Sequence, residues 1–195
     1  MTGTSSSSTS ATHTPHGTDG RHAPLPSYPA PKPLATPTDL LPDEARAVVE
    51  AVNPLIADAF ALYLKTKNYH WHLFGSHFRD YHLLFDEQAE AIFASIDPLA
   101  ERVRRVGGTT LRSIGHISRL QTIADDEEEL VAPAEMIRRL LADNARIAQA
   151  QRAAIDACES NRDSVTANLL QEILDQTERR KWFLYEISQG ADNAS

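Results

Sequence analysis

The stretch SHFRDYHLLFDEQAEAIFASIDPLAERVRRV, residues 76–106, decides the fold. Its apolar residues Phe78, Leu83, Phe85, Ala89, Ile92, Phe93 and Ile96 recur mainly at three and four positions, the period of one helix face. Ser76 can cap its start behind Phe74-Gly75, and Gly107-Gly108 stops it after the basic turn Arg104-Arg105. We read it as one long helix. Along it His82 and Asp86 are four residues apart, as are Asp97 and Glu101, so each pair shares a face. The step from Asp86 to Asp97 is eleven residues, close to three full turns, which puts both pairs on the same face. The pairs are still about 16 Å apart along the axis, at about 1.5 Å per residue, so they cannot share a metal within one chain. A two-fold partner running antiparallel would set the His/Asp pair of one subunit against the Asp/Glu pair of the other. An isologous dimer repeats each contact and makes two such sites. With His70 upstream, the set is two histidines and three carboxylates, which suits a divalent metal such as iron, zinc or manganese.

Outward from this stretch, helical period persists from Pro42 to Gln189. A first helix is expected over Asp43 to His72, with Val48, Val49, Val52, Leu55, Ile56, Phe60, Leu62 and Leu64 as apolar positions. Asn53-Pro54 interrupts it, and either kinks one helix or starts a second, with Asn53 as cap and Pro54 at the first position. A connection from Thr109 to Val131 has room for a short helix and carries the acidic run Asp125 to Glu129. A third long helix runs from Pro133 to about Glu159, and a fourth from about Ser164 to Gln189. No sustained period-two run argues for a sheet. The fold class is therefore all-α: a ferritin-like four-helix bundle with a long crossover between the second and third helices.

Residues 1–41 stand outside this pattern. Met1 to Leu40 hold seven of the eleven prolines and the run Ser5-Ser6-Ser7-Ser8. Such a segment buries too little to offset its ordering entropy, so a disordered arm is expected, then a domain over 42–190 and a short tail at 191–195. The arm is neutral, with Asp19 and Asp39 against Arg21 and Lys32, so the net charge of −8 belongs to the rest of the chain. An acidic body argues against wrapping nucleic acid by charge and fits a surface that gathers cations. No stretch is expected to reach the apolar length of a bilayer span, and the N-terminus lacks the regions of a secretory signal. The single cysteine, Cys158, cannot form an internal disulfide and reads as an apolar filler. These features point to the cytoplasm.

The run Lys67-Asn68-Tyr69-His70-Trp71-His72, followed by Gly75, Phe78, His82, Phe85-Asp86, Asp97, Ala100-Glu101-Arg102 and Gly107-Gly108, resembles the Dps family of miniferritins. The intervals from His70 to His82, Asp86, Asp97 and Glu101 equal those of that family's iron ligands. The resemblance implies that His70, His82 and Asp86 come from one subunit and Asp97 and Glu101 from its two-fold neighbour, in agreement with the separation along the helix. It implies a hollow shell of twelve subunits that oxidises Fe(II), preferably with hydrogen peroxide rather than oxygen, and keeps Fe(III) mineral inside. Hard carboxylates favour Fe(III) over Fe(II), and two-electron reduction of peroxide releases no hydroxyl radical. DNA would thereby be protected without contact.

The same resemblance makes Trp71, beside His70, a candidate electron donor and radical trap, while packing is the plain role for Trp182. His72 reads as a surface group, and His77 and His116 as structural or exposed. Glu101 could instead pair with neighbouring arginines, and Asp97 could cap a new segment, since Pro98 follows it inside the expected helix. Asp163, Thr166, Asn168, Leu169-Leu170 and Glu172 resemble the family's pore-lining stretch. Asn168 replaces a frequent aspartate there, with Asp163 and Glu172 as the remaining acids. An ordinary ferritin or rubrerythrin, with metal inside the bundle, needs Glu-x-x-His pairs. No glutamate here has histidine three residues later, which excludes that reading. The alternative is a nucleoid-compacting DNA binder. Basic arms serve that role through phosphate contacts, but this arm has only Arg21 and Lys32, with His13, His16 and His22 able to add charge at acid pH.

Overall fold

Four amphipathic segments bury their stripes by packing side by side, and the computed structural model, which describes residues 24–191, shows this arrangement. The α-helices are α1 (Pro42–His72), α2 (Phe78–Ala94), α3 (Ile96–Arg105), α4 (Ile114–Leu120), α5 (Pro133–Ser160) and α6 (Ser164–Ala191). There is no strand among the described residues. α1 packs on α2 and α5, and α5 packs on α6. α2 and α3 together make the second long member of the bundle. The core joins Val48, Val52 and Leu62 of α1, Phe85 of α2, Val103 of α3, Leu140 of α5, and Leu170 and Leu184 of α6. Each such side chain gains about 1.5–3 kcal/mol from full burial.

Pro54 lies inside one continuous helix, so the Asn53-Pro54 step starts no second element. The carbonyl that loses its donor is that of Glu50, an exposed position where water can replace it. Asn53 is buried and serves a different role. Its Nδ2 donates to the Val49 and Thr109 carbonyls, both at 3.1 Å, and so ties the start of the crossover to α1. α1 also corrects one expectation, because it is long and apolar enough to cross a membrane. Its apolar window is 56% buried inside the bundle, so that hydropathy belongs to a core helix.

The stretch at 76–106 is two helices rather than one. The first starts at Phe78 behind His77, without a side-chain cap from Ser76, which lies in the preceding turn. Gly75, at φ +102°, makes that turn in a backbone region open to glycine. The break falls at Ser95, whose N–H and Oγ both donate to the Ile92 carbonyl, at 3.1 and 2.7 Å. Pro98 explains it: the ring removes the N–H that the Ala94 carbonyl would have accepted. Pro98 thereby sits in the first turn of α3, where a missing N–H costs little. Asp97 is not the cap but lies in that same first turn, with Ser95 at the cap position.

Gly107-Gly108 does more than stop α3. Gly107 takes φ +84°, and a Cβ on Gly108 would lie 2.4 Å from Val49 Cγ2. The backbone must pass against α1 at that point.

The expected arm divides. Residues 1–23 lie outside the described residues, as do 192–195 of the expected tail. The described part of the arm has little regular structure, only a 3-10 turn at Lys32–Leu34, yet it is tied to the body. Thr109 N–H donates to the Ser27 carbonyl at 2.9 Å, Ala30 N–H to the Gly107 carbonyl at 3.0 Å, and Arg112 Nη2 to the Pro24 carbonyl at 2.7 Å. Ala30 is buried and Tyr28 packs on the core. Composition alone did not show that these backbone groups have partners on the body.

Candidate metal centre

His70 lies in the last turn of α1 and His82 in the second turn of α2, and the turn through Gly75 brings them together. Their rings stack with centroids 3.7 Å apart and planes 22° from parallel. His70 Nδ1 lies 2.9 Å from the His82 carbonyl, and His82 Nδ1 lies 3.1 Å from the His70 carbonyl. A carbonyl oxygen only accepts, so each Nδ1 carries the proton. In the neutral ring, each Nε2 then keeps a lone pair for a metal. A main-chain partner on the other nitrogen is how metal-binding histidines are oriented. Phe78 stacks on His82 at 5.0 Å and walls the site on one side.

Asp86, one turn after His82, places Oδ1 3.9 Å from His70 Nε2. The chain thus brings His70 and His82 together with Asp86 beside His70, the three residues that the resemblance assigns to one subunit. One participant was not singled out from sequence. Lys67, one turn before His70, holds Asp86 Oδ1 at 2.5 Å. Its ammonium, chiefly by that hydrogen bond, keeps the Asp86 carboxyl below the usual carboxylate range, and Asp86 in turn raises the Lys67 pKa. Lys67 stood in the recognised motif, but an i, i+3 lysine on a helix is too common to mark as part of a site. A metal entering between His70 and Asp86 must displace or share that oxygen.

Asp97 and Glu101 are not brought to this cluster. Both are exposed on α3. Glu101 pairs with Arg105 across one turn, at exposed positions where such a pair contributes little. Asp97 lines a cleft of about 260 Å³ with Phe60, Phe93, Ile96 and Thr110. Among the described residues no group of three or more His, Cys, Asp or Glu side chains is arranged to hold a metal ion. His70, His82 and Asp86 lie near one another without forming such a group.

The other histidines and acids sort by contact. His72 is exposed, with Nδ1 2.9 Å from the Asn68 carbonyl. His77 lies against Tyr81. His116 is buried in α4, and burial lowers its pKa, with Arg112 and Arg119 adding to the effect. Asp163 corrects the pore reading. It is buried, accepts from Arg102 Nη2 at 2.9 and 3.0 Å, and caps α6 through the Thr166 N–H at 3.0 Å. Glu172 and Asn168 are exposed on α6. Arg139 holds Asp126 and Glu128 of the acidic run at 2.8 and 2.9 Å, so these two are braces of the crossover. Cys158 is buried as expected, and burial pushes its thiol up to about 12, which makes it inert.

The all-helical crossover bundle defines a class, and a family model for the ferritin-like domain matches residues 49–192. The chain is 33% identical over 144 residues to DNA protection during starvation protein 1 of Deinococcus radiodurans, which covers 74% of this chain and 70% of that one. Among solved structures it is similar to Dps from Thermosynechococcus elongatus, with 30% identity, a TM-score of 0.70, and 72% and 88% of the two chains covered. It is also similar to an archaeal Dps homologue from Halobacterium salinarum, with 26% identity, a TM-score of 0.76, and 88% and 93% covered. The chain belongs to the Dps family of the ferritin-like superfamily.

Proposed function

We propose that this protein oxidises Fe(II) at sites shared between two-fold related subunits and stores the ferric product inside a hollow shell of twelve copies. His70, His82 and Asp86 of one subunit and Asp97 and Glu101 of its partner are the ligands. Iron is the substrate here. Imidazole nitrogen and carboxylate oxygen together suit it, and the carboxylates favour its ferric state. The preferred oxidant is hydrogen peroxide: two Fe(II) supply two electrons, and with two protons one peroxide becomes two waters. Removing both reactants of radical chemistry protects DNA without binding it, consistent with the name of the Deinococcus relative.

One observation carries the reading. Two stacked histidines, each with Nδ1 on the other's carbonyl, lie with Asp86 Oδ1 3.9 Å from His70 Nε2, while no metal-holding group of three or more His, Cys, Asp or Glu forms among the described residues. Anaerobic Fe(II) titration, followed by peroxide or oxygen, tests it. We expect rapid oxidation with two iron per peroxide. Oxidation no faster than in buffer would overturn the reading.

A further inference from the structure

The cleft beside Asp97 has a shape and a polarity that the iron chemistry does not use. Its apolar wall is Ile56 and Phe60 of α1, Phe93, Ile96 and Ala100 along α2–α3, and Leu111 of the crossover. At about 260 Å³ it has room for one aromatic side chain. Its polar members are Asp97 and Thr110. Thr110 Oγ1 is buried and has no hydrogen-bond partner among the described residues, a costly state for a hydroxyl.

At the other half-site the complementary group stands free. Trp71 follows His70 directly and is 59% exposed at the end of α1. Its indole N–H makes no hydrogen bond among the described residues, and its ring stacks on no other. An exposed indole beside one half-site and an empty apolar cleft beside the other obey the same geometry as the ligands. If the partner's Asp97 meets His70, the cleft lined by that Asp97 comes to the neighbour of His70. An isologous contact then satisfies both subunits at once.

We propose that Trp71 of each subunit inserts into the Phe60–Phe93–Ala100 cleft of its two-fold partner and donates its indole N–H to the partner's Thr110 Oγ1. The occupant is a second copy of this chain, and the proposal rests on the shared-site reading above. Insertion seats an aromatic anchor in a desolvated pocket, the kind of contact that dominates interface energetics. It also sets the register in which Asp97 and Glu101 reach His70, His82 and Asp86.

The test uses assembled protein carrying Trp182→Phe, which leaves Trp71 as the one tryptophan. We expect blue-shifted Trp71 emission and loss of acrylamide quenching. Ala100→Phe, which fills the cleft from its own wall, should return both to the values of an exposed indole. Thr110→Val, close to isosteric, should fold normally and weaken subunit association about fivefold, the worth of one hydrogen bond. Trp71→Ala should weaken it about thirtyfold or more. Red, freely quenched emission in the assembled Trp182→Phe protein would overturn the proposal. So would a Trp71 that stays shielded when Ala100→Phe fills the cleft. Mixed shells of Asp86→Ala and Glu101→Ala subunits separate this proposal from the shared-ligand reading. Regained oxidation with an exposed Trp71 means the ligands are shared and the insertion is wrong. A shielded Trp71 with no regained oxidation means that insertion stands and ligand sharing fails.

Discussion

His70 and His82 each reach the other's main-chain carbonyl as well as stacking ring on ring. Truncating one ring therefore leaves the bond that fixes the other. This makes single variants interpretable. His70→Ala or His82→Ala should slow Fe(II) oxidation at least about tenfold, the lower end of what even an outer partner of a metal site contributes. The oligomer should persist in size-exclusion chromatography, since packing and not the ligands holds it. Wild-type rates in the double variant would remove both histidines from the ligand set. Lys67 adds a limit on binding. The Asp86 oxygen nearest His70 is already engaged by an ammonium, so metal must compete for it.

Two elements carry local strain or charge that can be measured. The break at Ser95 follows from Pro98, which in an unstrained helix interior would cost about 3 kcal/mol. Because the chain starts α3 anew, Pro98 occupies a first turn instead. Pro98→Ala should stabilise the protein, but by less than about 1 kcal/mol. It should also alter oxidation kinetics by re-aiming Asp97. Urea unfolding and stopped-flow oxidation read both effects, and no change in either would mean the proline has no role. α4 is the second case. His116 is buried there, and its folded pKa lies below the ordinary 6.5. The native state then binds fewer protons than the unfolded one as pH falls through 6.5. Its contribution is intact above that value and is lost progressively below it. His116→Phe should flatten the decline of the urea midpoint between pH 6.5 and 5. An unchanged slope would assign the decline to other groups.

At the scale of the whole molecule, charge and apolar surface point in different directions. The chain carries −8, and residues 1–40 add no net charge, so few phosphate-bound counterions would be released on DNA. We expect no gel shift at neutral pH and physiological salt. A shift there that vanishes on deleting residues 1–40 would overturn this, and retardation confined to acid pH would implicate His13, His16 and His22. The apolar surface points to self-association. Leu64, Trp71, Phe74, Phe78, Leu83 and Phe93 are all exposed on α1, α2 and the turn between them. Leu64, Phe78, Leu83 and Phe93 stand among the apolar positions of the helical pattern. They face outward because a four-helix bundle can bury only one stripe of each helix, and a second stripe requires another subunit.

The residues of the chain by themselves determined three long helices and a further helical stretch at 76–106, the crossover, and the spacing that puts His82 with Asp86 and Asp97 with Glu101. Those depend on local period and covalent spacing, which are present in any single strand of sequence. They also gave the separation of the two pairs expected along an unbroken helix, from a constant rise per residue. Only the tertiary structure decided the rest. It placed Lys67 on Asp86, buried Asp163 against Arg102, and tied residues 24–34 to the end of α3 and the crossover. It also left Pro54 inside an unbroken helix. Each of these depends on which distant group stands opposite, and on whether solvent or protein meets an orphaned carbonyl. Local pattern does not encode either of these.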